Sequence, residues 1–215
     1  MIVMLVTLNV NAFAAPGSFV SSPSGNPMPQ LISFVPGDSG CTATLIITPY
    51  SERDTLPADL QTLMNKAYSE IATSNDLTEL EAELAKLAAS KSIKGTDLAV
   101  SDLFDMRTVG CDVHVHHNSF TITLSAETLK RFVGLLHMTT DGEWELISNA
   151  KVLDEGKTLQ FTVDDFSPFA IVVDTSENGG PNTGDNSMIH VYITVMAICA
   201  VAIVVIVAMD RKRRA

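Results

Sequence analysis

Apolar residues along this chain follow three different periods, and each predicts a different kind of element. In "CTATLIITPY" they alternate: Cys41, Ala43, Leu45 and Ile47 fall on one face and Thr42, Thr44, Ile46 and Thr48 on the other, the pattern of a strand with one wetter face. The period then lengthens. In "LPADLQTLMNKAYSEIA" residues Leu60, Leu63, Met64, Ala67 and Ile71 recur at helical spacing, with Pro57 suited to the first turn, so a helix is expected near 57–73. A second helix is expected near 76–91, ending before Gly95. Asp76 is placed to cap the amide of Glu79 while Glu79 reaches back, and Leu77, Leu80, Leu84, Leu87 and Ala88 form the apolar stripe. The short "TSN" between the two makes them a hairpin that packs its stripes on a sheet.

Alternation returns downstream. "LAVSDLFDMRTVG" and "SFTITLS" flank a polar loop, "ETLKRF" suits one helical turn, and "FVGLLHM" is joined to "EWELISNAKV" by Thr139-Thr140-Asp141-Gly142, a hairpin signal. "LQFTV" and "DDFSPFAIVVD" follow. Short strands divided by such turns predict an α+β fold: a small antiparallel β-sandwich-like domain over 31–174 with the helical hairpin inserted in it. That length is enough for a single core.

The third pattern is unbroken. Val191 to Met209 is a run of 19 residues without a charge, about 28 Å long as a helix and close to the hydrocarbon thickness of a bilayer. A transmembrane helix is expected over 188–209, with Tyr192 suited to the interface. The basic tail 210–215, carrying Arg211, Lys212, Arg213 and Arg214, is then placed in the cytoplasm. At the other end, Ala12-Phe13-Ala14 closes a short apolar run as a peptidase site would, so 1–14 is expected to be a signal peptide. No Lys or Arg precedes that run, which leaves open a start upstream of Met1 or a buried N-terminal strand. Residues 15–30 and 175–187 are Pro, Ser, Gly and Asn rich and are expected to be a flexible linker and a stalk. The predicted topology is a single-pass or wall-anchored surface protein with its N-terminus outside.

Within the stalk, Pro181-Asn182-Thr183-Gly184 is followed by the apolar span and then the basic tail. This order resembles the C-terminal sorting signal of Gram-positive surface proteins, with Gly180 where such signals carry Leu. The resemblance implies cleavage by sortase between Thr183 and Gly184, attachment through Thr183, and sortase and peptidoglycan as partners. A plain stalk with permanent membrane retention is the alternative. "GLLHMTTDGEWELISNAKV" followed by "LQFTVDDFSPFAIVV" is similar to β modules near the C-termini of clostridial-type envelope-anchored proteins. Phe166-Ser167-Pro168-Phe169-Ala170 is the most recognisable word, and the likeness covers about residues 99–175. It implies an architecture and brings no ligand with it.

Charge narrows the partners. The formal net charge is −11, and residues 15–184 carry 10 Lys and Arg against 23 Asp and Glu, a net of −13. Such a surface repels phosphate backbones, so nucleic-acid binding is not expected. One cluster suggests chemistry. In "CDVHVHHN", Cys111, Asp112, His114 and His116 offer donors that suit Zn²⁺ or Cu, with Asp112, His114 and His116 on one face if the segment is extended. A polar hairpin end without metal is the alternative. Cys111 has a competing use as the partner of Cys41 in a disulfide, since the third cysteine, Cys199, lies in the span. No nucleophile elbow, zinc-protease helix or phosphate-binding Gly loop is present. The expectation is a non-catalytic structural, adhesive or interaction module on a Gram-positive cell surface, with an unknown surface ligand and no cofactor. The alternatives are an extracytoplasmic metal-binding module using His114 and His116, or a membrane-retained envelope enzyme, which would need two carboxylates facing each other in an open cleft.

Overall fold

A computed structural model describes residues 18–20, 28–37, 42–110 and 119–176, all within the unit Met1–Asn178. The expected signal peptide 1–14, the histidine-bearing segment 111–118, the expected stalk beyond 176, the apolar run and the basic tail lie outside the described residues. The described elements are nine strands and two α-helices: β1 (Gln30–Pro36), β2 (Thr44–Pro49), α1 (Ala58–Thr73), α2 (Ala82–Ser90), β3 (Leu98–Val109), β4 (Phe120–Ser125), β5 (Phe132–Met138), β6 (Trp144–Leu146), β7 (Lys151–Leu153), β8 (Thr158–Val163) and β9 (Pro168–Asp174). They form two antiparallel sheets, ordered β1-β4-β8-β7 and β2-β3-β9-β5-β6. The α+β, sandwich-like character read from the sequence is what the strands build.

The five-stranded sheet is the middle layer. On one side Leu98, Val100, Leu103, Leu136, Ala170 and Val172 meet Met64, Ala67 and Ile71 of α1 and Leu84 and Ala88 of α2. On the other side Phe104, Met106, Leu135, Phe169, Ile171 and Val173 meet Phe120, Ile122 and Leu124 of β4 and Leu159, Phe161 and Val163 of β8. Side chains alternate across a strand, so a strand covered on both sides must be apolar at consecutive positions, as "PFAIVV" of β9 is. The four-stranded sheet is covered on one side only and therefore keeps strict alternation: β4 and β8 bury every second residue and present Thr121, Thr123 and Thr162 outward. Each large apolar side chain taken from water contributes about 1.5–3 kcal/mol.

Several local expectations are corrected. Residues 15–30 were expected to be a free linker, yet Phe19 is buried and its neighbours bond to β3: the amide of Val20 donates to the Val100 carbonyl at 2.9 Å and that of Val100 to the Ser18 carbonyl at 2.7 Å. Phe19 stacks on Tyr68 at 5.4 Å, and Tyr68 on Tyr50 at 4.4 Å. Gln30 already belongs to β1. The second helix divides. Asp76 caps only the 3-10 turn Leu77–Glu79, accepting from the Thr78 amide, while α2 starts afresh with Glu81 accepting from the amides of Glu83 and Leu84. "EWELISNAKV" is not one strand. Its first part is β6 of the five-stranded sheet and its last part is β7 of the four-stranded sheet. On β2 the wetter face is partly covered, since Thr48 is buried.

Phe19→Ala is expected to lower the unfolding free energy by about 3 kcal/mol in urea titration of the full chain. A change within about 0.5 kcal/mol, the usual range for an unanchored surface site, would mean that this segment is a linker after all.

Candidate functional site

Cys111, Asp112, His114 and His116, the disulfide candidate Cys41, and the sorting word Pro181, Asn182, Thr183 and Gly184 all lie outside the described residues. The chain on either side of the histidine loop is described. The β2–β3 ladder runs to Thr44 opposite Val109, and Gly110, at φ 93°, ends β3 so close to Thr42 that a Cβ there would stand 3.8 Å from its carbonyl oxygen. Cys41 and Cys111 are the next residues in sequence on each side. Among the described residues no group of three or more His, Cys, Asp or Glu side chains is placed to hold a metal, and no helix is long and apolar enough to cross a membrane.

The described residues do hold one reactive-looking array, which the sequence reading passed over. The hairpin turn at residues 139–142 sets His137 of β5 opposite Glu145 of β6, and Nδ1 of His137 lies 2.7 Å from Oε1 of Glu145. The β5–β9 register sets His137 opposite Phe169, whose ring stacks on the imidazole at 4.4 Å. Ser167, just before β9, has its Oγ 2.5 Å from Nε2 of His137 and donates a hydrogen bond to the Met138 carbonyl. Hydroxyl, imidazole and carboxylate thus stand in the order of a Ser-His-acid hydrolase.

Two features set this array apart from such a site. In a hydrolase the hydroxyl faces the substrate and the acid is buried. Here Ser167 is 0 % exposed and His137 2 %, while the Glu145 side chain is 52 % exposed. The array is turned inside out. Moreover, a hydroxyl proton given to Met138 leaves Oγ to accept from an Nε2–H, whereas activation of a nucleophile requires an unprotonated Nε2 that takes the hydroxyl proton. The bonds tie the start of β9 to the end of β5. In sequence the array was signalled by the Phe166–Ala170 word and by the hairpin turn.

Two buried acids lie on β3. Asp102 follows a bulge and accepts from the Ser101 hydroxyl at 2.6 Å, and Thr128 donates to the same Ser101 hydroxyl at 2.8 Å. Burial pushes its carboxyl above the ordinary range, opposed by those hydroxyls and reinforced by Glu127. Asp105 is fully buried opposite Thr48, on the helix-facing side with Leu103 and Arg107, and neither of its oxygens has a hydrogen-bond partner. Burial raises its pKa to about 7; Arg107 pulls it down and Asp59 of α1 pushes it up. Asp102 is opposite Ile171, on the side facing the second sheet, and Asp105 is on the other side. They are not an acid pair in one cleft.

Compared with known proteins, the chain matches no family model, no curated protein and no solved structure.

Two outcomes are expected from these sites. Ser167→Ala leaves the Met138 carbonyl and one imidazole nitrogen unsatisfied and should cost about 1–3 kcal/mol of stability; wild type should resist fluorophosphonate labelling. Rapid labelling lost in the variant would identify a nucleophile. For Asp105 the folded pKa, about 7, lies well above the ordinary carboxylate value of about 4. Its contribution to stability is therefore fully present below about pH 4 and is lost as pH rises through about 7. Asp105→Asn should gain stability relative to wild type at pH 8, by at most about 4 kcal/mol, and that gain should shrink towards pH 4 in thermal unfolding. A difference independent of pH would mean that Asp105 ionises normally.

Proposed function

We propose that the chain is a displayed interaction module of a Gram-positive cell surface, acting by binding and not by catalysis, in which the α+β domain is followed in sequence by a stalk and one C-terminal transmembrane helix. The observation that carries the non-catalytic part is the inverted burial of the Ser167–His137–Glu145 array, with its hydroxyl inaccessible and its carboxylate in solvent. The placement of Asp102 and Asp105 on opposite sides of β3 adds to it, since acid catalysis by a pair needs both on one substrate. The surface location is supported by sequence: the uncharged run Val191–Met209, the basic tail after it, and the Pro181–Gly184 word before it.

The competing uses of Cys111 are weighed by its surroundings. Closure of a disulfide with Cys41 is supported only by the nearness of the described ends Thr42 and Gly110, since the register that pairs Thr44 with Val109, carried on, would set Cys111 opposite Thr42 and not opposite Cys41. Binding of Zn²⁺ or Cu by His114, His116 and Asp112 is supported by residue type alone.

Anchoring is tested by cell fractionation. Mass spectrometry of wall digests should find a peptide ending at Thr183 and joined to a peptidoglycan fragment, and Thr183→Ala should move the protein to the membrane fraction. Wild type recovered only from membranes and still ending in Ala215 would overturn the sorting signal while leaving the span as anchor. Recovery in the cytosol would overturn the display reading as a whole.

A further inference from the structure

The cations of this acidic domain are not spread evenly. Three shallow cavities of about 420, 250 and 440 Å³ are lined in part by Lys157 and Lys130, by Lys130 and Arg131, and by Lys91 and Lys86. The first two share Lys130 and the last two share Val133, so they form one continuous track. It runs from the β7–β8 turn past the 3-10 turn Leu129–Arg131 to the surface between α2 and β5–β6. Half of the 10 Lys and Arg residues of 15–184 line it, against only Glu127, Asp174 and Glu83 of the 23 acids. A domain of net charge −13 therefore has a face with an excess of positive charge.

The track is built, in two respects. Gly156, at φ 89°, brings the β7–β8 turn against Lys130 so closely that a Cβ there would be 2.9 Å from the lysine Cγ. Any other residue would displace that side chain or strain the turn. Lys91, Lys130 and Lys157 are exposed and form no ion pair among the described residues, whereas Lys86 is already held by Glu83 at 2.6 Å. Beside the ammonium groups the third cavity offers the partly exposed apolar side chains Leu87, Leu146 and Ile147, and the middle one Ile93 with Val133 buried beneath it. An ionic polymer without apolar groups would gain nothing from that floor, and a neutral apolar ligand would gain nothing from the lysines.

We propose that this track binds an extended peptide segment in which carboxylates alternate with apolar side chains. The carboxylates meet Lys91, Lys130 and Lys157, and the apolar side chains rest on the partly exposed Leu146 and Ile147. The inference goes beyond display on a cell surface and does not depend on how the chain is anchored.

The test is fluorescence anisotropy on the full chain, kept in solution with mild detergent. The probe is a short labelled peptide alternating Glu with Leu and Ser, run beside a twin with Gln for Glu and with inorganic polyphosphate as competitor. The Glu peptide should bind at least about tenfold tighter than its twin, weaken as salt rises, and lose at least about tenfold on Lys91→Glu combined with Lys130→Glu. Both lysines are exposed, and an unchanged circular dichroism spectrum of the variant keeps the comparison clean. Equal binding of the twin, an unaffected double variant, absence of binding, or displacement by polyphosphate at equal charge would each overturn the proposal. All of these outcomes can be read without reference to wall attachment.

Discussion

Strand β9 is apolar on both of its faces, and burying both is the constraint from which the rest of the domain follows. Phe169, Ile171 and Val173 need a cover on one side, Ala170 and Val172 on the other. A single sheet with one solvent face could not supply this. The chain solves it with two unlike covers, a pair of helices on the Ala170 side and a four-stranded sheet on the Phe169 side. Neither cover buries its own apolar residues alone: the α1 stripe of Met64, Ala67 and Ile71 meets the middle sheet, and so do the inward faces of β4 and β8. Helices, middle sheet and outer sheet therefore depend on one another for stability.

The same constraint governs the polar groups. A sheet covered on both sides leaves little water for side chains along β3 and β5, so each polar group there must find a partner or stay neutral. His137 and Ser167 find partners, and the bond from Ser167 to Met138 binds β9 to its neighbour before the first strand residue, Pro168, which has no amide to donate. Phe166 and Phe169 on either side pack on Phe120 and on the His137 ring. This accounts physically for the Phe166–Ala170 word: one hydroxyl, one residue without an amide, and two aromatic rings that face the inter-sheet core. Asp105 finds no partner, and the neutral carboxylic acid is what such a position favours.

Much of the layer plan was legible. Periods of two and of about 3.6 gave the helical hairpin and most strands, because those periods record which face is buried. What escaped is what period cannot encode. The assignment of β6 and β7 to different sheets depends on the turn near Asn149 and not on apolar spacing, and the short segment around Phe19 has too few residues to show any period. The Glu81 cap was hidden because Glu is a poor signal for a helix start beside Asp76. For the candidate site the limit was different. His137, Glu145 and Ser167 are apart in sequence and become neighbours only through the β5–β6 and β5–β9 registers, whereas the histidines that stood together in sequence drew attention by proximity alone.

Since Ser167, His137, Asp102 and Asp105 are buried, what the described domain presents to other molecules is its surface charge and shape. At net −13 over 15–184, its field repels anions approaching from most directions, within a Debye length of about 10 Å. Along the outer sheet the outward residues Thr121, Thr123 and Thr162 carry no charge, and Lys151 of β7, opposite Gln160, adds one cation to that face. Among the described residues, the surface joining Lys157, Lys130 and Lys91 is lined by more cations than acids. An acidic partner is thus repelled elsewhere and attracted there, and the repulsion contributes to specificity as much as the lysines do. The acidic composition that argues against nucleic acid as a ligand is, by the same physics, what makes one cationic track selective.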